Sequence, residues 1–179
     1  MDAIGHCTAC GQFIVQGTLV TESNHSSLNL SADFVDYYAI SNSGELYWFA
    51  NEVNSGRTSI NAVLTADIVV NENVLNADGT LNGTPTYSWT PIGIASKPFT
   101  GTFDGNGHTI SGLYFNNTTY DNYPAGGNYV GLIGYADGAT IKNVGVIDSY
   151  LRGNEDVGGI CGRGGTQINC YNTGTVSGS

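Results

Sequence analysis

One short pattern comes round three times in the second half of the chain, and it limits the fold more than any other feature. The segments GHTISGLYF (107–115), GATIKNVGV (138–146) and GTQINCYN (165–172) can be laid over one another. That alignment matches Thr109 with Thr140 and Thr166, and Leu113 with Val144 and Cys170. The threonines are 31 and 26 residues apart, so the period varies, with the extra residues at glycine-rich corners. Alternating apolar positions on a repeat of this length predict a small β unit stacked on copies of itself. From residue 99 onward each unit is expected to hold an inward strand, a turn and a second inward strand. The turns are expected at 104–107, 137–138 and 163–165.

Composition fits that expectation. Glycine is abundant (26 of 179 residues) without any three-residue period, and proline is scarce, with 4. Glycines scattered among alternating Val, Ile and Thr mean tight turns between short strands. Hydrophobic residues at 40% supply a core, while charged residues at only 11% leave Asn, Ser and Thr to wet the outside. The formal net charge of −10 repels phosphate, so nucleic acid and anionic membranes are excluded as expected partners. No apolar run reaches the roughly 18 residues of a membrane span, so no membrane insertion is expected from this segment. Met1 and Asp2 are followed by no basic-then-apolar signal segment, so either a cytosolic protein or a piece of a longer exported chain is expected. The final TGTVSGS follows straight on a repeat with no capping element, so a piece of a longer exported chain is expected.

Three regions are read along the chain. Residues 1–30 form a Cys-containing lead-in, residues 31–98 an N-terminal cap with a helix at 42–55 and a first coil, and residues 99–179 the repeat coils, truncated at the C-terminus. In the lead-in, Cys7 and Cys10 make one CxxC with His6 beside it. That is half of a four-ligand zinc site, so Cys7 and Cys10 are an incomplete metal candidate, with His25 as a distant further ligand. The helix is the clearest local feature. Asn42 is placed to cap it with Glu45 three residues on, Leu46, Phe49, Ala50 and Val53 make one apolar stripe, and Gly56 stops it. Its expected task is to cover the apolar end of the first coil. Beyond it, 60–70 reads as a strand pair and 71–87 as an insertion with hairpin signals at Asp78-Gly79 and Asn82-Gly83.

Several motifs resemble one family. Gly131-Leu132-Ile133-Gly134, inside YVGLIGY (129–135), is similar to the Gly-Leu-any-Gly signature of GLUG-type repeats, and VGGICG (157–162) is a weaker copy. WTPIG (89–93), PFTGTFDGNGHTISGLYF (98–115) and the helical stretch 38–56 resemble the entry segments of the same bacterial cell-surface, adhesin-like proteins. The Cys7–Cys10 knuckle resembles small cysteine modules found between such repeats. The resemblance implies an all-β fold, a right-handed parallel β-helix (solenoid) with one N-terminal capping helix. It also implies an extracellular or cell-surface location. It names no receptor.

Candidate sites divide by chemistry. Tyr120, Asp121, Asn122 and Tyr123, with Asn128, sit in the 116–128 insertion, where aromatic rings beside amide and carboxylate groups suit a sugar or a protein surface. An ordinary insertion packed on the coils is the plain alternative. Asp104 and Asp137, read at one corner of adjacent coils, are the best carboxylate pair for cleaving a polysaccharide, though turns select Asp anyway. Asp104-Gly-Asn106-Gly lacks the further ligands of a calcium loop and reads as a plain turn. Cys161 and Cys170 read as buried thiols, with a cross-coil disulfide as the alternative. The expected function is a non-catalytic, adhesin-like or stalk module without cofactors, whose partner is a glycan or a host or partner cell-surface protein. The alternatives are a polysaccharide-active β-helix enzyme and a filament or surface-layer component that self-associates through an open last coil.

Overall fold

The computed structural model describes residues 14–118 and 127–179. The chain enters through β1 (Thr18–Leu19), a 3-10 turn (Ala32–Phe34) and β2 (Tyr37–Ile40), then runs into α1 (Ser43–Ser55). Local chemistry sets both ends of the helix. Asn42 is extended and its side chain accepts from the Glu45 amide at 3.0 Å. The Glu45 carboxylate reaches back one residue further than a capping box requires, taking the Ser41 amide at 2.6 Å and its hydroxyl at 2.9 Å. Gly56, at φ 123°, closes the last turn by donating to the Glu52 and Val53 carbonyls.

The remaining strands are β3 (Asn61–Leu64), β4 (Ile68–Val69), and three successive triplets. These are β5 (Thr102–Asp104), β6 (Thr109–Ser111) and β7 (Tyr114–Asn116); β8 (Ile133–Lys142), β9 (Gly145–Ile147) and β10 (Tyr150–Arg152); and β11 (Cys161–Ile168), β12 (Tyr171–Asn172) and β13 (Thr175–Ser177). Each triplet gives one strand to each of three sheets. The first sheet runs β1-β2-β3-β5-β8-β11, the second β12-β9-β6-β4 and the third β13-β10-β7. All pairings are parallel except β1 with β2, which is antiparallel.

The expected all-β, right-handed parallel β-helix is therefore corrected. The molecule is a mixed helix-and-sheet fold of three separate sheets, the largest of them mixed in direction. The helix α1 packs into the main core. Leu46, Phe49 and Val53 are fully buried, and Phe49 meets Phe99 and Phe103 edge-on at centroid distances of 5.9 and 6.0 Å. Full burial of each such side chain contributes about 1.5–3 kcal/mol. Tyr47 and Trp48, outside the predicted stripe, are buried as well, against Trp89 and Tyr38. The helix is also pinned by polar bonds. Tyr47 donates to the Ser88 carbonyl at 2.8 Å, and Asn54 bridges the Pro91 carbonyl and the Gly93 amide.

Register corrects the repeat alignment too. Thr140 pairs with Thr166, as aligned, but its partner in the first triplet is Thr102, and Thr109 lies opposite Gly145. The inward line of the first sheet is thus Ala62, Phe103, Ile141 and Gln167, and that of the second Ile68, Ile110, Val146 and Asn172. The turns expected at 137–138 and 163–165 fall inside β8 and β11, where a register shift between Gly164 and Thr166 absorbs the mismatch. A small second core of Val20, Leu30, Ala39 and Val63 covers one outer face of the first sheet. The 71–87 insertion folds back as a hairpin bridged at Leu75 and Leu81. Asp148 accepts from the Val74 and Leu75 amides, and the Thr175 hydroxyl donates to the Gly79 carbonyl at 2.6 Å.

Candidate functional site

The Gly131–Gly134 motif makes a close-packed bend at the start of β8. Leu132 and Ile133 are fully buried and point its apolar residues into the core. A Cβ on Gly134 would stand 2.6 Å from the Tyr129 carbonyl oxygen and 2.7 Å from that of Gly93, so only glycine fits there. Trp89 secures the bend from below, its indole donating to the Gly131 carbonyl at 2.9 Å. Ile92 pairs with Ile133, which puts WTPIG directly beside this bend. The flanks of the bend meet each other. Tyr129, at φ 61°, stacks on Tyr135 with centroids 5.4 Å apart and planes 18° apart. In the next triplet the flanking residues are Asp156 and Arg163, joined at 3.3 Å, and the guanidinium lies 5.6 Å from the centre of the Tyr135 ring. Asp156 and the two phenol rings favour the charged guanidinium. Each flank pair staples its bend shut, which is a structural use of aromatic and charged groups.

The carboxylates proposed for polysaccharide cleavage do not assemble. Asp104 faces Lys142 across the first sheet, while Asp137 lies five residues earlier on β8 and not at the same corner. Asp104 is only 3% exposed and fully engaged. It accepts from the Asn106 amide at 2.8 Å and the Asn143 side chain at 3.1 Å, with the Lys142 ammonium 3.2 Å away. Asn169 extends the row by donating to Asn143 at 3.0 Å. Asn106, Asn143 and Asn169 all take positive φ, so the corner is an amide ladder built on left-handed residues, for which Asn is well suited. The Asp104–Gly107 segment is accordingly a hydrogen-bonded turn.

Cys7 and Cys10, the metal candidates, and Tyr120, Asp121, Asn122 and Tyr123, the ligand candidates, lie outside the described residues. His25 is turned to its own loop, its Nδ1 lying 3.1 Å from the Leu30 carbonyl. Asn128 is buried and accepts from Asn154 at 3.1 Å. Cys161 and Cys170 are free, half-buried thiols packed against the core. Cys161 bonds to the Arg163 carbonyl, and burial pushes its thiol up to about 11. Among the described residues no three His, Cys, Asp or Glu groups converge as metal ligands. A shallow depression of about 370 Å³ opens beside Ser43, Glu72 and Tyr87. Asp67, His108 and Tyr171 were passed over in the sequence, because nothing local links residues so far apart. Only the parallel register of the second sheet brings them to one face.

No protein-family model matches the chain, and no solved structure does. Over 92 residues the chain is 39% identical to Halomucin of Haloquadratum walsbyi. The matched stretch covers 50% of this chain and 1% of that protein, so the chain spans a very small part of the curated relative it matches.

Proposed function

We propose that the chain is a non-catalytic module of an extracellular or cell-surface protein, acting as a scaffold that supports or displays an adhesive region. One observation carries this reading: half of the chain is similar to a short stretch of a very long protein that bears the name of a mucin. The architecture supports it. Two parallel sheets and one mixed sheet hold an apolar interior, while the best carboxylate pair is dispersed. The motif signature at 131–134 adds the bacterial adhesin-like proteins with GLUG-type repeats as the proposed kinship. A binding screen against glycans and extracellular proteins, run beside a reducing-end assay on polysaccharides, tests the module. Cleavage of any polysaccharide would sink the non-catalytic reading, and a blank screen would leave a scaffold without an adhesive role.

A second reading rests on the edges of β11, β12 and β13, which take no further strand among the described residues. Unpaired edges template strand addition, so self-association is proposed there. Light scattering that stays flat up to high micromolar concentration would remove it.

A further inference from the structure

We infer that the outer face of the second sheet is a binding platform for a neutral polysaccharide. This rests on the non-catalytic, surface-exposed reading above and gives it a ligand class and a place. Across this face the register sets Thr109, Gly145 and Tyr171 in one row, with Asp67 joined to the Thr109 end. Gly145 has no side chain, and the Tyr171 ring leans back over it. A Cβ at Gly145 would lie 2.4 Å from the ring's Cζ and 2.6 Å from its hydroxyl. The end of the phenol therefore lies over Gly145, pointing away from the β12 edge, and Tyr171 remains 52% exposed.

The other end of the row is polar and held in place. One oxygen of Asp67, Oδ1, accepts from the Thr109 amide at 2.8 Å and hydroxyl at 3.2 Å, and lies 3.4 Å from Nδ1 of His108. Those bonds hold the carboxyl below its usual range, the Thr109 amide contributing most, so it is ionised at neutral pH. The second oxygen, Oδ2, has no partner among the described residues, and the side chain is 68% exposed. A fixed carboxylate with one free oxygen accepts sugar hydroxyls, and a half-exposed phenol takes the C–H face of a pyranose ring. Thr109 lies one strand, about 4.8 Å, from Gly145 and its amide donates to Asp67 at 2.8 Å, so the phenol over Gly145 and the carboxylate stand roughly 7–8 Å apart, a span for consecutive sugar units.

Covering a glycine needs only an apolar body, so the plain role of Tyr171 uses neither its hydroxyl nor its exposed π face. The charge selects the ligand. A free carboxylate oxygen on a chain of net charge −10 repels uronates and sulfated glycans, which leaves neutral sugars. A single carboxylate on an open face binds without cleaving.

The test is calorimetry and affinity electrophoresis with neutral hexasaccharides of β-1,4-linked glucose, mannose and N-acetylglucosamine, and with polygalacturonate as the anionic probe. Binding of at least one neutral probe is expected, and none of polygalacturonate. Tyr171→Leu keeps Gly145 covered but removes the ring, and Asp67→Asn keeps an acceptor for Thr109 but removes the charge. Each should weaken binding about tenfold or more, with circular dichroism unchanged. No neutral probe bound, polygalacturonate bound as well, or full binding in both variants would each overturn the platform. Binding lost instead in Tyr120→Ala/Tyr123→Ala would overturn it while sparing the adhesive module. Cleavage of a probe would overturn the non-catalytic reading itself.

Discussion

The region around α1 and the region of β11–β13 use the same sheets in opposite ways. Around α1 the inward residues are sealed and apolar apart from Asn54, whose amide is fully bonded to Pro91 and Gly93. Phe49, Phe99, Phe103 and Leu64 are fully buried, and the helix side chains fill the space beside β2, β3 and β5. At the far edge the same inward lines end in Gln167 and Asn172, both exposed, where earlier strands carry Ile141 and Val146. Asn172 meets its own loop, exchanging bonds with Gly174. A helix can shield hydrocarbon from water on a whole flank, whereas a strand edge shields nothing beyond itself. The line of core residues therefore turns polar where only a strand edge remains.

That contrast can be broken by mutation. Phe49→Ala should cost about 3–5 kcal/mol in urea unfolding, whereas Gln167→Ala should stay within about 0.5 kcal/mol. Comparable losses at both positions would show that the two regions share one stability. Gly134→Ala should come next. Its new methyl is forced against two carbonyl oxygens between the regions, and such overpacking costs about 1–3 kcal/mol. A variant as stable as the parent would mean that the bend yields freely. Asn42→Ala removes the cap of α1 and should cost about 1 kcal/mol, read as faster hydrogen exchange in its first turn with β11–β13 unchanged. The last test concerns Cys161 and has no effect at neutral pH. Burial favours its protonated form, so the folded state keeps that proton up to about pH 11 while the unfolded chain releases it nearer 8.5. Stability is unaffected below the lower value and declines between the two. Alkylation by iodoacetamide should accordingly be slow at pH 8 and rise toward pH 11. Rapid modification at pH 8 would show that the thiol is open to solvent.

What the sequence made legible was local. Asn42 with Glu45 at one end and Gly56 at the other each act within the turn that they close, so they were enough to place α1. The alignment of Thr109 with Thr140 failed because Thr-Phe-Asp and Thr-Ile-Ser offer the same short pattern seven residues apart. What chooses between them is which side chain must cover Ile141, and Phe103 does so. Asp104 and Asp137 were put together on the assumption that they share a corner, whereas β8 bends at Gly138 without ending and sets Lys142, not Asp137, opposite Asp104. The all-β expectation weighed the helix by its stripe alone. Tyr47 and Trp48 bury a second side of it, and that needs partners 41 and 10 residues away in sequence. Asp67, His108 and Tyr171 were out of reach for the same reason, since their row exists only once the second sheet has formed.

The hairpin at 71–87 has a consequence for the order in which the chain folds. Its amides at Val74 and Leu75 wait for a carboxylate more than seventy positions later, and its Gly79 carbonyl waits for a hydroxyl 96 positions on. Contacts of such sequence separation pay their loop entropy before any reward, which slows assembly. During synthesis from the N-terminus this segment is made early and fastened late. It is a latch that engages only after β9, β10 and β13 have reached their sheets.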